Sequence, residues 1–317
     1  MIGLSVVYVL AGIVFGAFAV LSAMDRSNPK RMGNATFWGL VATSFLAGDQ
    51  LGDRGNGVLV LALALIAGFG WLGRGQPATT SPVERKALAE RFGARLFVPA
   101  LTLPLVVIFG VLVLKPLSFG GQPLLDPKQA TLISLALAAI VATAVGLILL
   151  RQPLISPLQE GRRLMDTVGW AALLPQMLAA LGAVFALAGV GETIGQLVTA
   201  WIPMDSRLTA VAVYCLGMAG FTMIMGNAFA AFPVMTAGVA LPILIGRFDG
   251  DPAIVASIGM LSGFCGTLMT PLAANFNLVP AALLELPNRY AVIYAQIPTA
   301  LPLLLVNTGL MYVLAFR

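Results

Sequence analysis

Residues 253–286 read AIVASIGMLSGFCGTLMTPLAANFNLVPAALLEL. The stretch begins and ends as good membrane-helix material, yet Gly266, Thr267, Thr270, Pro271, Asn275, Asn277 and Pro280 sit inside it. A straight helix over these 34 residues would reach about 50 Å, against a hydrocarbon core of about 30 Å. The segment is therefore expected to be tilted, bent or unwound, with Pro271 marking the place. Threonine hydroxyls, asparagine carbonyls and freed main-chain carbonyls are hard oxygen ligands that suit a small cation. The alternative is a kinked helix whose Thr and Asn side chains hydrogen-bond neighbouring helices.

A second interrupted segment lies just upstream, FTMIMGNAFAAFPVMTAG at 221–238. Gly226 and Asn227 separate two apolar runs, 208–225 and 228–246, and Pro233 cannot donate to a helical ladder. Main-chain groups at such a break lose their partners, which in hydrocarbon costs several kcal/mol each. Protein, water, an ion or a substrate must then satisfy them. The half-helix that starts at Ala228 also points its first amides at the gap, which favours an anion. The competing reading is a proline kink packed against its neighbours. Only RFDGDP, 247–252, separates the two interrupted segments. Paired discontinuous helices are the best sequence-level pointer to a transporter binding site.

Working outward, the 317 residues are 59% hydrophobic and 10% charged, with mean hydropathy +0.95. Soluble domains carry about a quarter charged residues, so this is a polytopic membrane chain. Further apolar runs place spans near 2–24, 36–50, 57–73, 96–114, 130–150, 168–190 and 291–316. The expected architecture is all-α, with about eight transmembrane helices, a hairpin over 208–246 that either crosses twice or re-enters, and one discontinuous helix. The first run carries AFA at 17–19 but lacks a basic lead, so it reads as a retained span.

Loop charges give the orientation. With the N-terminus outside, the cytoplasmic loops hold Arg26, Lys30, Arg31, Arg74, Arg85, Lys86, Arg91, Arg95, Arg151, Arg162, Arg163 and Arg289. The other side keeps Arg54, Lys115, Lys128, Arg207, Arg247 and Arg317, which satisfies the positive-inside bias. The net charge of +5 thus reports topology and does not point to nucleic acid. The absence of histidine removes histidine proton relays and Ser-His triads. Cys215 and Cys265 lie far apart in apolar runs and suggest no disulfide framework or metal site. No nucleophile–base pair stands out, so an enzyme is not expected.

Smaller features have blander readings. In AGVGETIGQLVTAWIP, 188–203, Glu192 closes an apolar helix and reads as a helix-end residue at the membrane surface; a buried, functional carboxylate is the alternative. The part after it is too short to span and is expected at the interface or in a cleft. Gln176 beside Pro175, and Gln296 near Pro298, could face a cavity or hydrogen-bond between helices. Asp49, Asp53 and Arg54 read as a solvated turn. SPVERKALAER, 81–91, carries a capping box, Ser81 with Glu84, and predicts a short cytoplasmic helix. GFGWLG, 68–73, follows no strand and is not a dinucleotide site. GIVFG, 12–16, and GMLSG, 259–263, allow close helix packing.

MGNAFAAFPVMTAG, GMLSGFCGTLMTPLAANFNLVPAALLEL and AQIPTALPLLLVNTGLMY resemble the bacterial membrane-protein family labelled domain of unknown function 979. The resemblance runs the length of the chain and is strongest from about residue 170. The second half also resembles, more weakly, one repeat of the ion transporter superfamily of arsenite, citrate, dicarboxylate and gluconate permeases. That likeness implies a hairpin over 208–246 with its tip at Gly226 to Pro233, and a helix over 253–286 unwound around Gly266 to Asn275. One such set is present where the superfamily has two. The resemblance therefore implies a second small membrane subunit supplying the other half of the site. It also implies a secondary transporter in the bacterial inner membrane, with 1–167 as a five-span scaffold region and 168–317 as the transport region. The substrate it suggests is a small organic anion such as 5-oxoproline. Expected binding residues are Gly226, Asn227, Ala228, Pro233, Gly266, Thr267, Thr270, Pro271, Asn275 and Asn277. Sodium is expected at Asn227, Thr267, Thr270 and Asn275, since no carboxylate other than Glu192 is available at depth to couple protons. The other classes left open are an inorganic-ion exchanger, a membrane-embedded enzyme and a non-transporting scaffold.

Overall fold

Apolar runs of spanning length become helices because a helix satisfies its own main-chain hydrogen bonds where water is absent. The computed structural model describes residues 2–75, 81–119, 121–284 and 286–316, so Arg317 of the orientation argument lies outside them. The chain divides into two compact units, Met1–Thr167 and Val168–Arg317. Among the described residues seven helices are long and apolar enough to cross a bilayer, or up to eight if one bent pair counts as a single span. The protein is an all-α polytopic membrane protein. Its extended structure among the described residues amounts to a two-residue pairing of Ser118–Phe119 with Gln122–Pro123 and a bridge between Ile2 and Leu125.

The first unit contains α1 (Leu4–Met24), α2 (Arg31–Gly68), α3 (Pro82–Phe92), α4 (Phe97–Phe109, prolonged by a π turn over Gly110–Leu114), α5 (Ala130–Leu150) and most of α6 (Ser156–Val168). Ser81 caps α3 in the capping box read from the sequence, bonding the Glu84 amide while Glu84 reaches back. The two spans expected over 36–50 and 57–73 belong to one assigned helix, α2. Gly52, at φ +60° and ψ −175°, bends it sharply, a conformation open to glycine because it lacks a Cβ. The ends of α2 meet: Asn34 donates to the Gly73 carbonyl at 2.8 Å and accepts from the Gly73 amide at 2.9 Å. Two antiparallel arms result, with Asp49, Asp53 and Arg54 exposed at the bend.

The two ends of this unit are chemically unlike. At one, Arg162 of α6 bonds Asp25 at 2.8 Å and lies 3.6 Å from Asp166. Trp38 donates to Asp166 at 2.8 Å, and Arg74 donates to the Thr167 carbonyl at 3.1 Å. At the other end Ile2 bonds Leu124. The loops after α1, α2 and α5 therefore share one end, as the loop charges require. Burial works against the Asp25 carboxylate, but hydrogen bonds from Ser27 and Arg162 outweigh it and lower its pKa. For Asp166 burial wins and raises the pKa, despite bonds from Trp38 and Asn34.

The second unit contains α7 (Leu174–Leu187), α8 (Val190–Trp201), α9 (Arg207–Met225), α10 (Ala228–Met235), α11 (Pro252–Leu268), α12 (Ala274–Leu283) and α13 (Ala291–Leu314). α10 continues as a π helix over Thr236–Ile245; Pro233 and Pro242 lack amide donors, and this arm departs from regular α bonding. α9 and the α10 arm form a hairpin. Gly217 packs on Met235 across it, and Arg247 donates to the Met204 carbonyl at its base at 3.0 Å. Each arm is long enough to cross, so the hairpin has the dimensions of two full crossings. α11 runs parallel to α9 along a glycine seam. Gly259 faces Tyr214, Gly263 faces Met218 and Thr222, and Gly266 faces the Ala219 carbonyl. The core centres on Tyr214, Cys215, Met218, Leu244, Val255 and Met311, all essentially without exposure.

Candidate functional site

Both interruptions foreseen in the sequence are real, and the fold brings them together. α9 ends at Met225, Gly226 adopts φ +75°, and Asn227 starts α10 as its N-cap. α11 ends at Leu268, and α12 begins at Ala274 after Pro271 and Leu272. A Cβ on Gly226 would lie 2.6 Å from the Leu272 carbonyl, so glycine is needed here both for its φ and for the close approach. The Thr270 hydroxyl donates to the Met223 carbonyl at 2.9 Å and accepts from the Leu272 amide at 3.2 Å. Met223 lies in the last turn of α9, whose carbonyls have no partner within the helix. Thr270 is thus a clasp between the two breaks.

The second break is narrower than the 266–275 expected. Gly266 and Thr267 remain helical in α11, and Asn275 is helical in α12. Gly266 serves packing: a Cβ there would collide with the Ala219 carbonyl. Thr267 bonds back to the Gly263 carbonyl of its own helix at 3.3 Å. Asn275 is half-buried, two residues along α12 from Asn277 and so on a different face. Asn277, fully buried, turns into the break and donates to the Thr267 and Thr270 carbonyls at 2.9 and 2.7 Å. It closes the end of α11 from ten residues away. Asn227 accepts from the Phe229 amide at 2.7 Å. Ala228 is buried beside Gly263, and Pro233 lies within α10.

Much of the polar chemistry therefore satisfies main-chain groups that the breaks expose. Some oxygens are left over. Asn277 Oδ1 and Thr222 Oγ1 are buried without a hydrogen-bond partner, as is Gln296 Oε1 in α13. An unmet buried acceptor costs about 1–3 kcal/mol. Thr222 was not singled out in the sequence. Its one signal is position, a hydroxyl one turn before Gly226 in an apolar run. The Gln176 side chain lies outside the described residues.

Glu192 differs from expectation. It opens α8 instead of closing the helix before it. The chain bends by 69° between Ala180–Leu187 and Val190–Trp201, at Gly189 with φ +68°. α8 then packs on the hairpin through glycines. Gly191 meets Val234 and Ala237, and Gly195 meets Gly238. Those contacts lie near the middle of the 18-residue arm Ala228–Ile245, so Glu192 lies level with the middle of that arm. It is exposed and borders a groove of about 290 Å³ with Gln196, Thr199 and Pro242.

No curated protein and no solved structure matches the chain. The family model described as "Protein of unknown function (DUF979)" matches residues 5–316, and the chain belongs to that family.

Proposed function

We propose that the protein is one subunit of a secondary active transporter for a small organic anion, working in the bacterial inner membrane with its N-terminus outside. The observation that carries this reading is the meeting of two helix breaks far apart in sequence, with Thr270 bonded to Met223 and Gly226 seated against Leu272. Discontinuous helices that face each other are the arrangement by which membrane carriers present main-chain dipoles to a solute. The amides that open α10 suit a carboxylate. The unpartnered oxygens of Asn277 and Thr222 suit a cation, and sodium is the coupling ion proposed, with Asn227, Thr267, Thr270 and Asn275 as its further candidate ligands. One hairpin and one broken helix make half of such a site; a second membrane subunit would bring the other half. The likeness to one repeat of the ion transporter superfamily supports the same division. On this reading the chain catalyses no covalent chemistry.

The test is uptake into proteoliposomes of radiolabelled small carboxylates, 5-oxoproline among them, with and without the proposed second membrane subunit. Uptake is expected with both subunits and to fall at least tenfold in Asn227→Ala and Thr270→Ala. Unchanged uptake in both variants would remove the breaks from the mechanism. Undiminished uptake when choline replaces sodium would exclude sodium coupling. Product formation in detergent, with no sealed compartment, would favour an enzyme.

A further inference from the structure

The buried charges of the first unit do not balance. Asp25, Arg162 and Asp166 each keep more than nine-tenths of the side chain from solvent, and they set two carboxylates against one guanidinium. Asp25 takes the nearer place at 2.8 Å, leaving Asp166 3.6 Å from the same nitrogen. The cations nearby are engaged elsewhere. Lys30 donates to the Gly70 carbonyl, Arg74 donates to the Thr167 carbonyl, and Arg163 pairs with Glu160. α2 offers Asp166 neutral donors, Trp38 at 2.8 Å and Asn34. Asp166 also lies in the last turn of α6, where the helix dipole opposes an anion. Burial first, and Asp25 second, push its pKa up against the pull of Trp38, Asn34 and Arg162. An unpaired buried charge is costly, so the cluster calls for one proton, and Asp166 is the carboxylate placed to carry it.

The position gives that proton a mechanical meaning. Asn28 and Asn34 hold the Gly73 carbonyl, and Gly75 packs so closely on Asp25 that a Cβ would strike the carboxylate. Arg74, between them, is the residue bonded to Thr167. Thr167 ends the first unit, and the chain enters the second at Val168. One cluster thus fastens the turn after α1, the segment Gly73–Gly75 and the end of α6. Arg162 Nε is buried without a partner, so the guanidinium has a donor in reserve for an ionised Asp166. We propose that Asp25, Arg162 and Asp166 form a proton-operated latch, closed while Asp166 carries a proton and opened as rising pH removes it, freeing the last turn of α6 and the segment Gly73–Gly75. The proton leaves to water, and the charge of the cluster falls from zero to minus one. The latch stands apart from the two helix breaks and does not depend on the transporter reading.

Trp38 reports on it directly. In the full chain in mild detergent, the exposed Trp71, Trp170 and Trp201 are removed as Trp71→Phe, Trp170→Phe and Trp201→Phe, and Trp38 emission is followed between about pH 4 and 8. A one-proton transition is expected. It should vanish in Asp166→Asn and stay in place in Glu160→Gln. In Asp25→Asn it should move to lower pH, because the remaining carboxylate then has the arginine to itself. Thr167→Cys, added to the parent and to Asp166→Asn, should react several-fold faster with a thiol reagent in the parent above the transition, and equally in both below it. A flat Trp38 response, a transition that survives Asp166→Asn or ignores Asp25→Asn, or equal Thr167→Cys reactivity above the transition would each overturn the latch. Should Asp25→Asn not fold, the Asp166→Asn arm decides alone.

Discussion

Arg162 holds two buried carboxylates whose titrations oppose each other. The lowered pKa of Asp25 means that its ionised form stabilises the fold. That contribution is complete above the ordinary 3.8 and is lost as pH falls through the lowered value. Asp166 is raised, so its contribution is full below 3.8 and is lost as pH rises through the raised value. Thermal unfolding between about pH 4 and 8 should therefore separate two variants. Asp166→Asn keeps an oxygen for Trp38 and is expected to flatten the loss of stability with rising pH. Asp25→Asn leaves Arg162 short of its nearest partner and is expected to cost about 3 kcal/mol near neutrality. A second pair of residues tests the break. Asn277→Ala strips the Thr267 and Thr270 carbonyls of a donor and should cost about 3 kcal/mol, whereas Asn275→Ala should stay within about 0.5 kcal/mol. The sequence reading put Asn275 ahead of Asn277 as an ion ligand, and it is Asn277 that turns into the break, because the choice depends on how α12 is rotated. The charge cluster was invisible there, since Asp25, Arg162 and Asp166 lie in segments that read as solvated loop.

At the level of elements, glycine spacing decides how closely α9 and α11 approach. Gly266→Ala would drive a methyl group into the Ala219 carbonyl and is expected to destabilise by about 1–3 kcal/mol. Gly220 of the facing helix α9 has open space around it, so Gly220→Ala should be neutral or stabilising by up to about 1 kcal/mol. Chemical denaturation of the two variants in one detergent checks the contrast; equal effects would mean that the seam does not limit the approach. The breaks themselves were legible because Gly-Asn and Thr-Pro inside apolar runs have few other uses. The π continuation over Thr236–Ile245 was not, since nothing local distinguishes it from a proline kink. The packing of α8 on that arm was hidden too, because it joins Gly191 and Gly195 to a glycine over forty residues away.

For the whole molecule, the apolar runs and loop charges were enough to read the polytopic class. They also grouped the loops of the first unit, because hydrophobic length and charge asymmetry are additive along the chain. The sharp bend in α2 was legible only as a polar gap. The proposed orientation predicts that Asp53→Cys and Asp126→Cys react with an impermeant thiol reagent on intact cells, and that Arg74→Cys reacts only after permeabilisation. Both native thiols are buried, so background should be low. The reverse pattern would turn the chain over.

The Thr270 clasp has a consequence for biogenesis. Met223 leaves the ribosome 47 residues ahead of the hydroxyl that completes it, which at ordinary elongation rates is about 2–9 s. Throughout that interval the nascent hairpin stands with an open carbonyl at its turn, and water or the insertion machinery has to shelter it. Synthesis halted before Thr270 should therefore yield hairpins that insert and are then cleared by quality-control proteolysis.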